Sequence, residues 1–252
     1  MKKVLAFTAV SAAAVLAGDV ASFEILGFSR DGSLMAWMEH GTQDGSGFDY
    51  CNAYVIETAH GSVLAEAEVV IDPYDTSESY AAFEPGTACR GQAVEEAMRM
   101  LSPVMTSLGI EDSTACVHAV SHPLTDLGVP WDRVVFDTVE RADAISAPGG
   151  GILSLSTSEV RVDSIFQSWC FNPFLLRITL SDRPTGESRI IYSESALEPG
   201  REYRQGARIG DVYTLGDTLV VAVLDVVSLG FEGSDVRHMV VTGNMSFVGT
   251  GW

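Results

Sequence analysis

The chain is poor in positive charge and nearly devoid of lysine. Its 252 residues carry 34 acids against 15 bases, a formal net charge of −19, and the only lysines are Lys2 and Lys3. Both belong to the N-terminal export signal argued below, so the exported chain keeps 13 arginines against 34 acids, a net of −21. With no lysine there is no Schiff base, no phosphate-loop or kinase lysine and no Ser-Lys dyad. So acidic a surface repels the phosphate backbone, and nucleic acid is not expected as a partner. Motifs are missing too. There is no C-x-x-C pair for a thiolate zinc site and no H-E-x-x-H. Ser46 follows Asp44-Gly45 and lacks the first glycine of a G-x-S-x-G elbow, and the run Gly149-Gly150-Gly151 is no G-x-G-x-x-G. No segment after the first residues has the run of about 20 apolar residues that spans a bilayer.

What is present begins with a cationic Met1-Lys2-Lys3 and an uncharged apolar run from Val4 to Leu16, closed by Ala17 and interrupted by Asp19. This is the form of a secretory signal, too short for a membrane anchor, with cleavage expected after Ala17. A cut after Ala21 would leave a net of −20. The exported chain, residues 18–252, is expected in the periplasm or secreted, without a transmembrane anchor. Export permits disulfides, and Cys51, Cys89, Cys116 and Cys170 allow three pairings. Cys89 with Cys116 is preferred, because a helix between them folds back; that loop would restrict the unfolded chain by about 3–4 kcal/mol.

The pattern predicts a mainly β fold (β-rich α+β) of antiparallel hairpins resembling propeller-blade or sandwich units. Short strands fall at Phe23–Phe28, Leu34–Glu39, Ala53–Thr58 and Val63–Ile71. Others fall at Ile152–Leu155, Val160–Asp163, Phe174–Leu180, Arg189–Tyr192, Leu219–Val227 and Val236–Thr242. Pro184 and Gly186 supply a hairpin turn between two of them. One helix interrupts the strands: Val94, Ala97, Met98 and Leu101 recur at helical spacing from Gln92 to about Ser102, and Pro103 is expected to end or kink it. The helix is read as covering a sheet, with Met98, Met100 and Met105 as core. The exported chain reads as one domain, or two halves divided at 147–151.

The segment Leu26-Gly27-Phe28-Ser29-Arg30-Asp31-Gly32-Ser33-Leu34-Met35-Ala36-Trp37, followed by Ala53-Tyr54-Val55-Ile56-Glu57, resembles the F-S-x-D-G unit of TolB-type propeller repeats, with Arg30 where that unit commonly has proline. Five or six such units would make a propeller, and only one is found. The stretches Gly18 to Ser29, Gly41 to Phe48 and Gly230 to Arg237 resemble the two ends of a bacterial family of predicted secreted proteins with no assigned activity. That resemblance implies export and carries no catalytic residue. Within the chain, Leu34–Glu39 with Ala53–Thr58 echoes Leu219–Val227 with Val236–Thr242, each a strand, an acidic Gly-Phe loop and a strand.

Two cation sites are candidates. Asp44 and Asp49 in one acidic loop, with Glu232 and Asp235 in the other, offer hard oxygen ligands suited to calcium; the plainer reading is two solvated hairpin tips. His118 and His122, with Asp126 four residues on, have a spacing that suits zinc, although Pro123 breaks any helix aligning them. Cys170 beside Trp169 reads as oxidised or buried rather than as a nucleophile. The expected function is a non-catalytic binding or interaction module of the periplasm or envelope, taking an envelope protein or small ligand through loops at the strand ends. The competing readings are a metal-dependent hydrolase built on His118 and His122 with nearby acids, and a calcium-stabilised structural domain.

Overall fold

The apolar run Leu219 to Leu224 is buried along its whole length, and a strand covered on both faces demands a sheet on either side. In the computed structural model it lies in the middle layer of the molecule. Residues 18–72, 91–111, 116–125, 130, 132–136, 153–161, 174–196, 204–230 and 233–246 are described.

The first sheet holds β1 (Ser22–Ser29), β2 (Leu34–Thr42), β3 (Asp49–Glu57), β4 (Val63–Ile71) and the short β5 (Ile110–Glu111), in the order β4-β3-β2-β1-β5. The outer sheet, of order β10-β9-β8-β7, is built from β7 (Arg133–Phe136), β8 (Leu153–Arg161), β9 (Phe174–Asp182) and β10 (Ser188–Ser193). Between them lies a central sheet of order β13-β12-β11-β6, comprising β6 (Cys116–Ser121), β11 (Arg204–Leu215), β12 (Leu219–Leu229) and β13 (Ser234–Asn244). All named strand pairs are antiparallel. Val220, Ala222 and Leu224 of β12 pack with Leu155, Leu176, Ile178 and Leu180 of the outer sheet. Leu219 and Val221, on the opposite face, pack with Phe28, Met35, Trp37 and Ile56 of the first sheet.

The remaining face of the first sheet is covered by α1 (Gln92–Ser107). Ala93, Ala97, Leu101 and Met105 recur every fourth residue and are buried against Ala53, Val55, Ala67 and Val69. The helix runs on through Pro103 rather than ending there. A proline removes one backbone donor, and burial of Leu101 and Met105 on either side of it holds the last turn in place. Met98 packs against the core, but Met100 is exposed.

Asp31 and Gly32 turn the chain between β1 and β2, with the Gly32 N–H donating to the Ser29 carbonyl at 2.9 Å. Gly32 takes a φ of +71°, and Asp31 accepts hydrogen bonds from Ser29 Oγ at 2.7 Å and from Ser33 Oγ at 2.7 Å and N at 3.1 Å. The Ser29 hydroxyl first, then Ser33, pull the Asp31 carboxyl down to about 2. The likeness to a propeller repeat ends with this hairpin. Among the described residues the sheets stack face to face and close no ring. The strands expected at Ile152–Leu155 and Val160–Asp163 are one strand, β8, since Ser156, Thr157 and Ser158 pair with Thr179, Ile178 and Arg177. The possible boundary at 147–151 lies outside the described residues.

Candidate functional site

Strand alternation directs Met35, Trp37 and Glu39 of β2 to the central sheet, because Ala36 and Met38 face the helix. On the opposing face of the central sheet, Asp225 of β12 and His238 of β13 are cross-strand partners. These residues form a line of charge between the two layers. Glu39 Oε2 accepts from the His238 backbone N–H at 2.7 Å and lies 3.5 Å from Nδ1, while Asp225 Oδ1 is 3.5 Å from Nε2 on the other side of the ring. Asp225 Oδ2 accepts from Arg208 Nε at 2.9 Å, and Arg208 Nη2 donates to the His122 carbonyl at 2.7 Å. Arg208 has 2% of its surface exposed.

Burial pushes the Glu39 carboxyl up, yet hydrogen bonds from His238 and from Asn52 outweigh it and hold Glu39 below the ordinary glutamate range. Asp225 goes the other way: burial raises it, and the Arg208 guanidinium only partly opposes the rise. Asp19 behaves like Asp225, raised by burial against the pull of Arg237. Asp19 sits on a short N-terminal strap. Its N–H donates to Asp235 Oδ1 at 3.0 Å, its Oδ2 accepts from Arg237 Nη2 at 2.6 Å, and the strap pairs in parallel with β13 at Val20 and Val236.

Beside this line of charge lies a cavity of about 440 Å³, walled by Trp37, Glu39, Tyr54 and Ile56 of the first sheet, by Gly61 and Val63 next to the turn into β4, and by Arg204, Val226, Ser228, Arg237, His238, Met239 and Val240 of the central sheet. Trp37 and Tyr54 are cross-strand partners whose rings stand 4.7 Å apart, and Phe23 lies 5.6 Å behind the indole. The charged groups in this wall are matched within the protein. Glu39 accepts from the His238 backbone N–H at 2.7 Å and from Asn52 Nδ2 at 3.2 Å, Arg237 pairs with Asp19, and Arg204 makes a two-pronged pair with Glu194 at 2.9 and 3.0 Å. Three nitrogens on wall residues are buried without a hydrogen-bond partner among the described residues: Trp37 Nε1, Arg204 Nε and His238 Nδ1.

The residues singled out from sequence are placed elsewhere. Asp49, at the start of β3, caps α1: its Oδ2 accepts from the N–H groups of Gly91 at 3.1 Å and Ala93 at 3.3 Å. Asp235 holds the strap, Asp44 lies in the β2–β3 connection, and Glu232 lies outside the described residues. His118 of β6 contacts Asp211 Oδ1 at 2.7 Å through Nε2 and stacks on Tyr213 at 4.4 Å. His122 meets β11 through its backbone, accepting from Arg208 and donating to Gly210, and its Nδ1 is buried without a partner; Asp126 is outside the described residues. Among the described residues no group of three or more His, Cys, Asp or Glu is placed to hold a metal ion. Cys51 and Cys116 are free thiols, so the preferred Cys89–Cys116 bridge is not formed by Cys116; Cys89 and Cys170 lie outside the described residues. Burial, above all, pushes both free thiols up to about 11.

Sequence reasoning missed Glu39, Asp225, His238, Arg204 and Arg208. One signal was available: Asp225 interrupts an apolar run that is otherwise unbroken from Leu219 to Val227, and a buried strand acid needs a partner. A family model described as "Predicted secreted protein (DUF2259)" matches residues 36–244, which include the first, central and outer sheets from β2 to β13. No curated protein matches the chain.

Proposed function

The chain belongs to the DUF2259 family of predicted secreted proteins, and from that premise we propose that it is an exported, non-catalytic binding protein whose seat is the cavity between the first and central sheets. One observation carries the reading. The cavity is walled mainly by apolar and aromatic side chains, and the ionised groups it contains are matched within the protein. Concave apolar sites with a few fixed polar groups are where proteins take ligands. An acid or base that transfers protons must be free to exchange its partner; here Glu39, Arg204 and Arg237 are fixed in pairs, which suits recognition better than turnover. The seat is thus a cavity between layers rather than the strand-end loops expected from sequence.

A screen of chemically diverse fragments against the exported chain, followed through the methyl resonances of Ile56, Val226 and Val240, tests this. Binders should shift those methyls, and Val63→Trp should remove the shifts without lowering Tm, since Val63 is about half exposed at the cavity wall. Fragments that bind only away from these methyls, or none that bind, would contradict the proposal.

A further inference from the structure

The cavity wall takes residues from both faces of one strand. His238 and Val240 of β13 face the first sheet, whereas Arg237 and Met239 face the other way, and all four line the void. One edge of β13 is paired with β12 without a register break from Ser234 to Asn244. A void touching both faces of such a strand lies along its other edge. Strand alternation fixes which backbone groups point there. Val236 points outward: its N–H donates to the Asp19 carbonyl at 2.7 Å and its carbonyl accepts from the Ala21 N–H at 3.1 Å. Two residues on, the outward N–H of His238 is taken by Glu39. Two further on, the N–H and carbonyl of Val240 point the same way, and among the described residues no strand pairs with them.

We propose that this edge is a strand-addition site, where an extended, uncharged peptide segment of a partner protein pairs with Val240 and lays its side chains in the cavity. The inference rests on the cavity being the binding seat and adds what fills it. The edge already accepts backbone at one point, a single bridge from the N-terminal strap at Val236, and Val240 repeats the outward geometry of Val236 four residues further along the strand. An added strand supplies both a donor and an acceptor at each outward residue. Because the charged residues of the wall are matched within the protein, a charged segment would bring an uncompensated charge into a partly buried place. Peptide carbonyls suit the unmatched Trp37 indole N–H, and apolar side chains suit Trp37, Tyr54 and Ile56. The free stretch is short: Glu39 takes the His238 N–H at 2.7 Å and the Thr242 hydroxyl donates to the Thr58 carbonyl at 2.6 Å, so at roughly 3.3 Å per residue the edge centred on Val240 takes about three residues of added strand.

The test begins with selection of randomised hexapeptides displayed on phage against the exported chain, and the recovered sequence is then synthesised with acetyl and amide ends. The peptides recovered should be free of charge and rich in β-branched and aromatic residues. Saturating peptide should slow exchange of the Val240 amide at least tenfold. Replacing the Val240 amide by an ester, which deletes the N–H and keeps the side chain, should weaken binding about 3- to 10-fold, the worth of one hydrogen bond. The same replacement at Val241, whose N–H belongs to the β12 ladder, controls for loss of fold. If fragments shift the Ile56 methyl but no peptide protects Val240, the seat stands and strand addition is overturned. If neither occurs, both fall. Charged peptides, or peptides insensitive to the ester, also overturn strand addition.

Discussion

Replacing Arg208 by methionine should be among the costliest single changes in the central sheet. Its guanidinium is 2% exposed, bonded to Asp225 at 2.9 Å and to the His122 carbonyl at 2.7 Å. Removing one partner of a buried ion pair leaves the other charge uncompensated, and such losses run at about 3–5 kcal/mol. At about 2–4 °C per kcal/mol for a chain of this size, Tm should fall by roughly 6–20 °C. Asp225→Leu should cost a similar amount, because Arg208 is then stranded. The double variant is the informative one. Asp225 has a raised value in the folded protein, with burial as the main cause, so its charged form is less favourable in the fold than in the unfolded chain. That penalty is present at neutral pH and fades as pH falls through the raised folded value towards the ordinary one. A pair under net desolvation cost is replaceable, and the double variant should approach the parent in stability. Urea unfolding of all four proteins at pH 7 gives the cycle. Single variants each costing under about 1 kcal/mol, or a double variant as unstable as the sum of its parts, would refute the reasoning.

Other expectations follow from individual contacts. Glu39→Gln should cost about 1.5–3 kcal/mol at pH 7, the worth of hydrogen bonds to a charged acceptor. Because the folded value of Glu39 is depressed, its contribution holds above the ordinary glutamate value and is lost as pH falls through the folded one, so urea curves of variant and parent should converge in acid. Asp49→Ala uncaps α1 from a distance and should cost about 1–2 kcal/mol, with faster amide exchange in the first turn of the helix; Asp49→Asn should recover part of it. With both thiols near 11, Cys51 and Cys116 of the native protein should alkylate at pH 8 about two orders of magnitude more slowly than an unperturbed thiol, followed by peptide mass spectrometry.

Much of the layering was legible because burial on two faces leaves an unbroken apolar run, as in Leu219 to Leu224, and burial on one face leaves a periodic one, as in Ala93 to Met105. β11 escaped for the opposite reason. Its run Arg204 to Leu215 holds two glycines, an acid and two arginines, and bulges at Gln205 and Gly210 break the alternation. Those arginines are interior because Glu194, ten residues before Arg204, and Asp225, the cross-strand partner of Arg208, meet them, and it is strand register rather than a sequence motif that matches each acid to its arginine. Pro103 misled in a similar way, since tertiary packing on both sides of it outweighs one lost backbone bond. The site was less legible still. Glu39 and His238 are 199 residues apart in sequence, and neither stands in a motif, whereas His118 and His122 have the spacing of one and serve the β6–β11 seam instead.

The most direct measurement is a crystal structure of the exported chain soaked in a mixture of small uncharged amides and short capped peptides. Density along β13, against Trp37, Tyr54 and the Val240 backbone, is the predicted result. A cavity closed by the protein's own side chains, or density confined to other surfaces, would contradict it.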